Sequence, residues 1–179
     1  TPIKSSAASD VYKRQYYNWL KDNAESIKAL DTDALEHMIY VSCNIKREVV
    51  ENDPKEKGER ALLNFGHTLG HAIEKEMNFS LYHGECVVLG MIAALNICVE
   101  LGTITGEERD DALNTFALYE FPDHVTGIKI DDVIAVSKND KKMDAGKVKF
   151  ILLKSVGDAY IDRDITDDQM RRALEGVIR

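Results

Sequence analysis

The sequence predicts a mainly α protein, a helical bundle domain with a small β-hairpin near its C-terminus. Three observations predict it. Apolar residues recur at helical spacing through most of the chain, most densely in HGECVVLGMIAALNICVE. Helix-start signatures punctuate that spacing: Asp31 or Thr32, then Thr105 with Glu108, then Thr166 with Gln169. Residues 148–153 and 159–161 instead alternate or run apolar on either side of Ser155-Val156-Gly157, the pattern of a hairpin.

In order, residues 1–15 (TPIKSSAASDVYKRQ) are small, polar and aperiodic, and are expected to be a non-native or disordered leader. Residues 10–15 can be encoded by GATGTGTATAAGAGACAG, which resembles the transposon end used to tag DNA fragments for sequencing. Tyr17, Leu20, Ala24 and Ile27 predict a short helix over 16–28. A longer one follows to about Glu51, with Leu35, Met38, Ile39, Ser42, Ile45 and Val49 on its buried side and Pro54 stopping it. The run from Gly84 to Leu101 is apolar nearly all round and should be the core helix, ended by Gly102. Ala112, Leu113 and Phe116 line the next helix; Pro122-Asp123 marks a turn, with His124 an ordinary exposed residue beside it. A short helix over 131–138, the polar Asn139-Asp140-Lys141-Lys142 loop, the hairpin and a last amphipathic helix to the C-terminus complete the chain.

With 179 residues, 44% hydrophobic and 30% charged, the chain can close a core as one domain. A net charge of −8 without an extended basic cluster argues against nucleic acid as a partner. No apolar run approaches the roughly 20 residues of a membrane span, so no membrane is expected either. Cys43, Cys86 and Cys98 lie in apolar helical contexts without CxxC pairing, and each is expected to be a buried thiol in a reducing cytoplasm.

The chemistry concentrates in RALLNFGHTLGHAIEKEMNFSLYHGECVVLG, residues 60–90. Read as one helix over 60–77, it puts Arg60, Asn64, His67 and His71 at i, i+4, i+7 and i+11, a single stripe. Leu62, Leu63, Leu69, Ala72 and Ile73 lie off that stripe, which therefore faces something that needs cations, amides and imidazoles. His83 follows in HGE, so three of the five histidines sit on or beside one helix, with Gly66 and Gly70 allowing close approach. Two imidazoles one turn apart can converge on one ion, and His67 and His71 read on spacing alone as a metal-binding pair. Thr68 stands where a zinc protease of the HExxH type needs its general-base glutamate, which excludes that chemistry.

The segments R-A-L-L-N-F-G-H-T-L-G-H-A-I-E and H-G-E-C-V-V-L-G-M resemble the metal-binding segment of the 3-dehydroquinate synthase family and its sugar-phosphate cyclase relatives. The likeness continues in C-N-I-K-R-E-V-V-E-N-D-P-K-E-K-G, N-D-K-K and F-I-L-L-K-S-V-G, and so covers 16–179 as the family's helical C-terminal domain. The resemblance implies an enzyme of the shikimate pathway that converts a phosphorylated sugar acid, 3-deoxy-D-arabino-heptulosonate 7-phosphate, to 3-dehydroquinate and phosphate, using NAD and Zn2+ or Co2+. It implies that His67 and His83 bind the metal and that His71 hydrogen-bonds substrate and moves a proton, which departs from the spacing-based pair. Lys46, Arg60, Asn64 and one of Lys141 or Lys142 would contact the substrate's carboxylate, hydroxyls or phosphate, and Glu85 would support His83 from behind. Without the resemblance, Lys46 reads as a snorkelling surface lysine and the Lys141–Lys142 loop as a solvated charge run. The resemblance also implies a separate N-terminal NAD-binding domain, a third metal ligand (a glutamate) upstream of Tyr16, and a homodimeric intact enzyme.

Three rivals differ in class. A 2-deoxy-scyllo-inosose synthase would share the metal motif but take a neutral sugar phosphate. A metal-dependent alcohol or glycerol dehydrogenase has a similar helical domain and a G-H-x-x-x-H pattern. A stand-alone helical binding module would need no site chemistry. The N-F-G-H-T-L-G-H context and the N-D-K-K loop favour the dehydroquinate synthase reading.

Overall fold

A computed structural model describes residues 13–55, 58–138 and 147–179. Backbone contacts divide it into two compact units, one comprising residues up to Leu63 with Val156–Asp158, the other Asn64–Ser155 with Ala159–Arg179.

In the first unit a helix over 13–22 (α1) gives way at Asn23 to α2 (Ala24–Lys28), so the single helix expected over 16–28 is interrupted. The interruption is local: Asn23 sits at φ −111° and ψ 12°, and both its N–H (3.0 Å) and its Nδ2 (2.8 Å) donate to the Trp19 carbonyl. Leu30, at φ 58°, turns the chain into α3 (Thr32–Asn52), where Asp31 accepts from the Ala34 N–H at 2.9 Å as an N-cap. Ala34, Val41 and Val49 are the buried positions of α3, whereas Ile39 is 57% exposed and Ser42 is exposed. The expected buried side is therefore rotated. On that side the Tyr16 hydroxyl lies 2.9 Å from the Met38 carbonyl and 2.6 Å from Ser42 Oγ. Cys43 is also exposed, against expectation, because it falls on the outward side of the same helix.

The second unit is organised around α5 (His83–Glu100), against which α4 (His67–Glu76), α6 (Gly106–Leu118), β1 (Phe150–Ser155) and α8 (Asp167–Glu175) pack. At 18 residues α5 is, by length and composition, apolar enough to cross a membrane, which revises the sequence reading. Its side chains are mostly buried by its neighbours, with Leu89, Ile97, Cys86 and Cys98 wholly enclosed, so it is the core helix. Helix α7 (Ile130–Lys138) packs on α4 and α8, and β1 pairs with β2 (Asp158–Asp162) through a turn at Gly157, φ 95°. Both predicted capping boxes form: Glu108 N–H donates to Thr105 Oγ1 at 3.1 Å, and Gln169 N–H to Thr166 Oγ1 at 3.3 Å. The last helix stops at Glu175 rather than reaching the end. Ile178 instead forms a parallel bridge with Val125, held by Val125 N–H to Val177 O at 2.8 Å.

Candidate metal centre

The helix read over 60–77 is two elements. A 3-10 helix (Glu59–Asn64) precedes Gly66, whose φ of 80° breaks the ladder, and α4 starts afresh at His67. The stripe from Arg60 to His71 is thus not one α-helical face; only the one-turn spacing of His67 and His71 survives. Gly66 is held open by α5. A Cβ there would lie 2.6 Å from the Val87 carbonyl oxygen and 2.7 Å from the Met91 nitrogen, and one on Gly70 would lie 2.8 Å from the Cys86 carbonyl oxygen. From the other side, a Cβ on Gly90 would meet the Gly66 carbonyl oxygen at 2.0 Å. The close approach allowed by these glycines is between two backbones, not between backbone and ligand.

That contact sets where the imidazoles go. Helix α4 carries His67 and His71; the chain reverses through Asn78 and Phe79, both at positive φ, and α5 opens on His83. The ring centroids lie 5.3 Å (His67–His71), 5.7 Å (His67–His83) and 5.4 Å (His71–His83) apart. One ring nitrogen from each lies within 4.8 Å of the other two. His67 and His71 are half-buried and His83 is exposed.

Two of the rings have their proton placed by a neighbour. Nδ1 of His67 is 3.2 Å from the Phe65 carbonyl oxygen, and Nδ1 of His83 is 3.2 Å from both Oε1 and Oε2 of Glu74. A carbonyl and a carboxylate only accept, so each Nδ1 carries a hydrogen and, in the neutral ring, each Nε2 keeps its lone pair. Three converging imidazoles, with Nδ1 of His67 and of His83 each facing an acceptor, fit a zinc-type ion. Thr68, between the two helical histidines, donates its hydroxyl to the Lys149 carbonyl at 2.8 Å and ties the start of α4 to the residue before β1.

Glu85 does not support His83. It accepts the Tyr82 N–H at 2.8 Å and so caps the start of α5. Glu74 takes the role instead. Its signal was present in the sequence, since Glu74 lies i+7 from His67 and extends the face of His67 and His71 by one turn. Cys86, beside both carboxylates in the core, is pushed up to about 11 by burial first and then by Glu74 and Glu85, so it is a neutral thiol near pH 7.

Among the other predicted residues, Asn64 closes the 3-10 helix, half-buried, and belongs to the second unit with the histidines. Lys46 and Arg60 belong to the first. Lys46 is exposed on α3. Arg60 Nη1 donates to the Pro54 carbonyl at 3.2 Å, and its backbone N–H donates to Asp53 Oδ2 at 3.1 Å. Lys141 and Lys142 lie outside the described residues. His124 is half-buried, its Nδ1 lying 2.6 Å from Asp123 Oδ1.

The 3-dehydroquinate synthase of Acinetobacter baumannii (strain AYE) is 38% identical over 157 residues, covering 87% of this chain and 44% of its own length. That of Shewanella piezotolerans (strain WP3 / JCM 13877) is 36% identical over 167 residues, covering 92% and 46%. The chain therefore spans about half the length of the curated relatives it matches. In fold it is similar to the 2-epi-5-epi-valiolone synthase ValA of Streptomyces hygroscopicus subsp. jinggangensis 5008, solved with NAD+ and Zn2+ bound (TM-score 0.81, 20% identity, 95% of this chain and 49% of that one). It is also similar to a 2-deoxy-scyllo-inosose synthase complexed with carbaglucose-6-phosphate, NAD+ and Co2+ (TM-score 0.68, 21% identity, 81% and 43%). The family model described as 3-dehydroquinate synthase C-terminal matches residues 3–143, and the chain belongs to that family.

Proposed function

We propose that this chain is the metal-holding half of a 3-dehydroquinate synthase, which converts 3-deoxy-D-arabino-heptulosonate 7-phosphate to 3-dehydroquinate and phosphate. The observation that carries the reading is the convergence of His67, His71 and His83 in a chain of this family. His67 and His83, each with Nδ1 facing an acceptor, hold Zn2+ or Co2+ together with a glutamate from the N-terminal half. When bound, such an ion supplies Lewis-acid stabilisation of negative charge on a substrate oxygen. His71, one turn from His67, hydrogen-bonds the substrate and relays its proton. Arg60 offers a planar fork to carboxylate or phosphate, Lys46 and one of Lys141 or Lys142 offer point charges, and Asn64 offers an amide to hydroxyls.

The reaction runs through transient oxidation, phosphate elimination, re-reduction, ring opening and aldol closure. The hydride acceptor, NAD, belongs to the N-terminal NAD-binding domain, and the intact enzyme is a homodimer in the cytoplasm. The free thiols of Cys43, Cys86 and Cys98 agree with a reducing compartment.

The test joins this chain to the NAD-binding half of the Acinetobacter baumannii relative and follows phosphate release with NAD and Zn2+. Release from the heptulosonate phosphate, abolished by His67→Ala, is expected. Release from glucose 6-phosphate instead would assign a different cyclase, and a folded, zinc-loaded chimera that releases phosphate from neither would refute the reading. The 179-residue chain alone should release none, because NAD and one metal ligand come from the other half.

A further inference from the structure

We propose that Glu74 is the positioning residue of this metal centre: its carboxylate takes the Nδ1–H of His83 and so commits Nε2 of that ring to the ion. The proposal rests on the metal reading above. The side chain of His83 is 53% exposed, whereas that of Glu74 is only 17% exposed. A neutral imidazole so open to water samples both tautomers and several rotamers, and only one combination presents Nε2 inward. Glu74 removes that freedom. It stands on α4, one turn beyond His71, and meets His83 across the α4–α5 turn with both oxygens at 3.2 Å.

The neighbouring carboxylate is engaged elsewhere, since Glu85 accepts the Tyr82 N–H. A second physical effect runs the same way. His83 is the first residue of α5, where the helix dipole opposes a cation, and the Glu74 charge offsets that field. The arrangement parallels His67 and the Phe65 carbonyl, but there the acceptor is neutral backbone.

The experiment uses the full 179-residue chain and Co2+ as probe, with affinity read by competition against a chromophoric chelator and tautomers read by 15N NMR of metal-free, histidine-labelled protein. The unmodified chain should bind one Co2+ and show His83 protonated at Nδ1. Glu74→Ala should bind the same one ion about 10–100-fold more weakly and show both tautomers at His83. Glu74→Gln, whose amide oxygen can still accept, should fall between, with an unchanged metal-free unfolding midpoint; a purely structural residue would not separate the two readouts. If Glu74→Ala fails to fold, Glu74→Gln decides by the same two measurements. Co2+ affinity within about threefold of the unmodified chain in the folded variants, with binding lost in His67→Ala, would overturn the role of Glu74 and leave the metal reading standing. No Co2+ bound by the unmodified chain would overturn both.

Discussion

Replacing Gly90 with alanine adds one methyl group at the contact on which the metal centre depends. The new Cβ would sit 2.0 Å from the Gly66 carbonyl oxygen and 2.6 Å from the Gly70 nitrogen, both backbone atoms that cannot rotate aside. Reaching an ordinary contact of 3.4 Å means opening the α4–α5 gap by about 1.4 Å. Overpacking of this severity costs about 3 kcal/mol, the upper part of the usual range. Alanine in a helix interior returns about 1 kcal/mol over glycine, leaving a net loss of about 2 kcal/mol. For a chain of this size that lowers the unfolding midpoint by roughly 4–8 °C. The ligand geometry suffers more. His67 and His71 travel with α4 while His83 stays with α5, and metal–ligand distances tolerate only about 0.2 Å. Thermal unfolding of the metal-free chain, paired with Co2+ titration, reads both effects. Gly84→Ala is the matched control, because a Cβ at Gly84 meets nothing within 4 Å although it adjoins His83. A Gly90→Ala midpoint at or above that of the unmodified chain, with Co2+ affinity unchanged, would refute the backbone-contact account.

Three further outcomes are expected. In an enzyme restored to full length, His67→Ala and His83→Ala should abolish metal content while His71→Ala lowers turnover with metal retained. Metal analysis of the three proteins checks this, and equal loss in His71→Ala would make it a ligand. Arg60→Lys in the same enzyme should cut kcat/KM by the equivalent of about 2–5 kcal/mol, because the charge stays but the fork is lost; unchanged kinetics would remove Arg60 from the site. In the native chain a thiol reagent should modify Cys43 first, with Cys86 and Cys98 reacting only on unfolding. Because the folded Cys86 thiol holds its proton to about 11 against an ordinary 9.0, its contribution to stability is complete below pH 9 and is lost as pH rises through that window. Urea midpoints measured across that range check the sign.

Much of this architecture was legible because its signals are local. Thr105 with Glu108 and Thr166 with Gln169 announce their helices through bonds made within one turn, and both boxes form. The near-uniform apolarity of α5 marked it as a core helix, and its burial by α4, α6, β1 and α8 bears that out. What escaped was decided by neighbours in space. Gly66 broke the expected helix because α5 leaves no room for a side chain there, and no periodicity in residues 60–77 carries that information. The outward turn of Ile39 and Cys43 is not carried by the apolar spacing of α3. The three histidines were visible as a cluster because they are close in sequence as well as in space. The spacing placed Glu74 on the face of His67 and His71, but its pairing with His83 was not legible, because spacing relates residues on one helix and this pair spans two.

The nearness of these histidines along the chain bears on the order of folding. All three lie on one helical hairpin, α4 and α5 joined by the short link from Met77 to Tyr82. Closing so short a loop costs little chain entropy, and contacts of low sequence separation form early. The hairpin thus needs neither the β1–β2 pair nor the bridge between Val125 and Ile178 before its imidazoles converge. An ion present during synthesis would meet a nearly finished cradle on a chain still largely unfolded, and binding there would bias the remaining helices toward the arrangement that keeps α4 against α5.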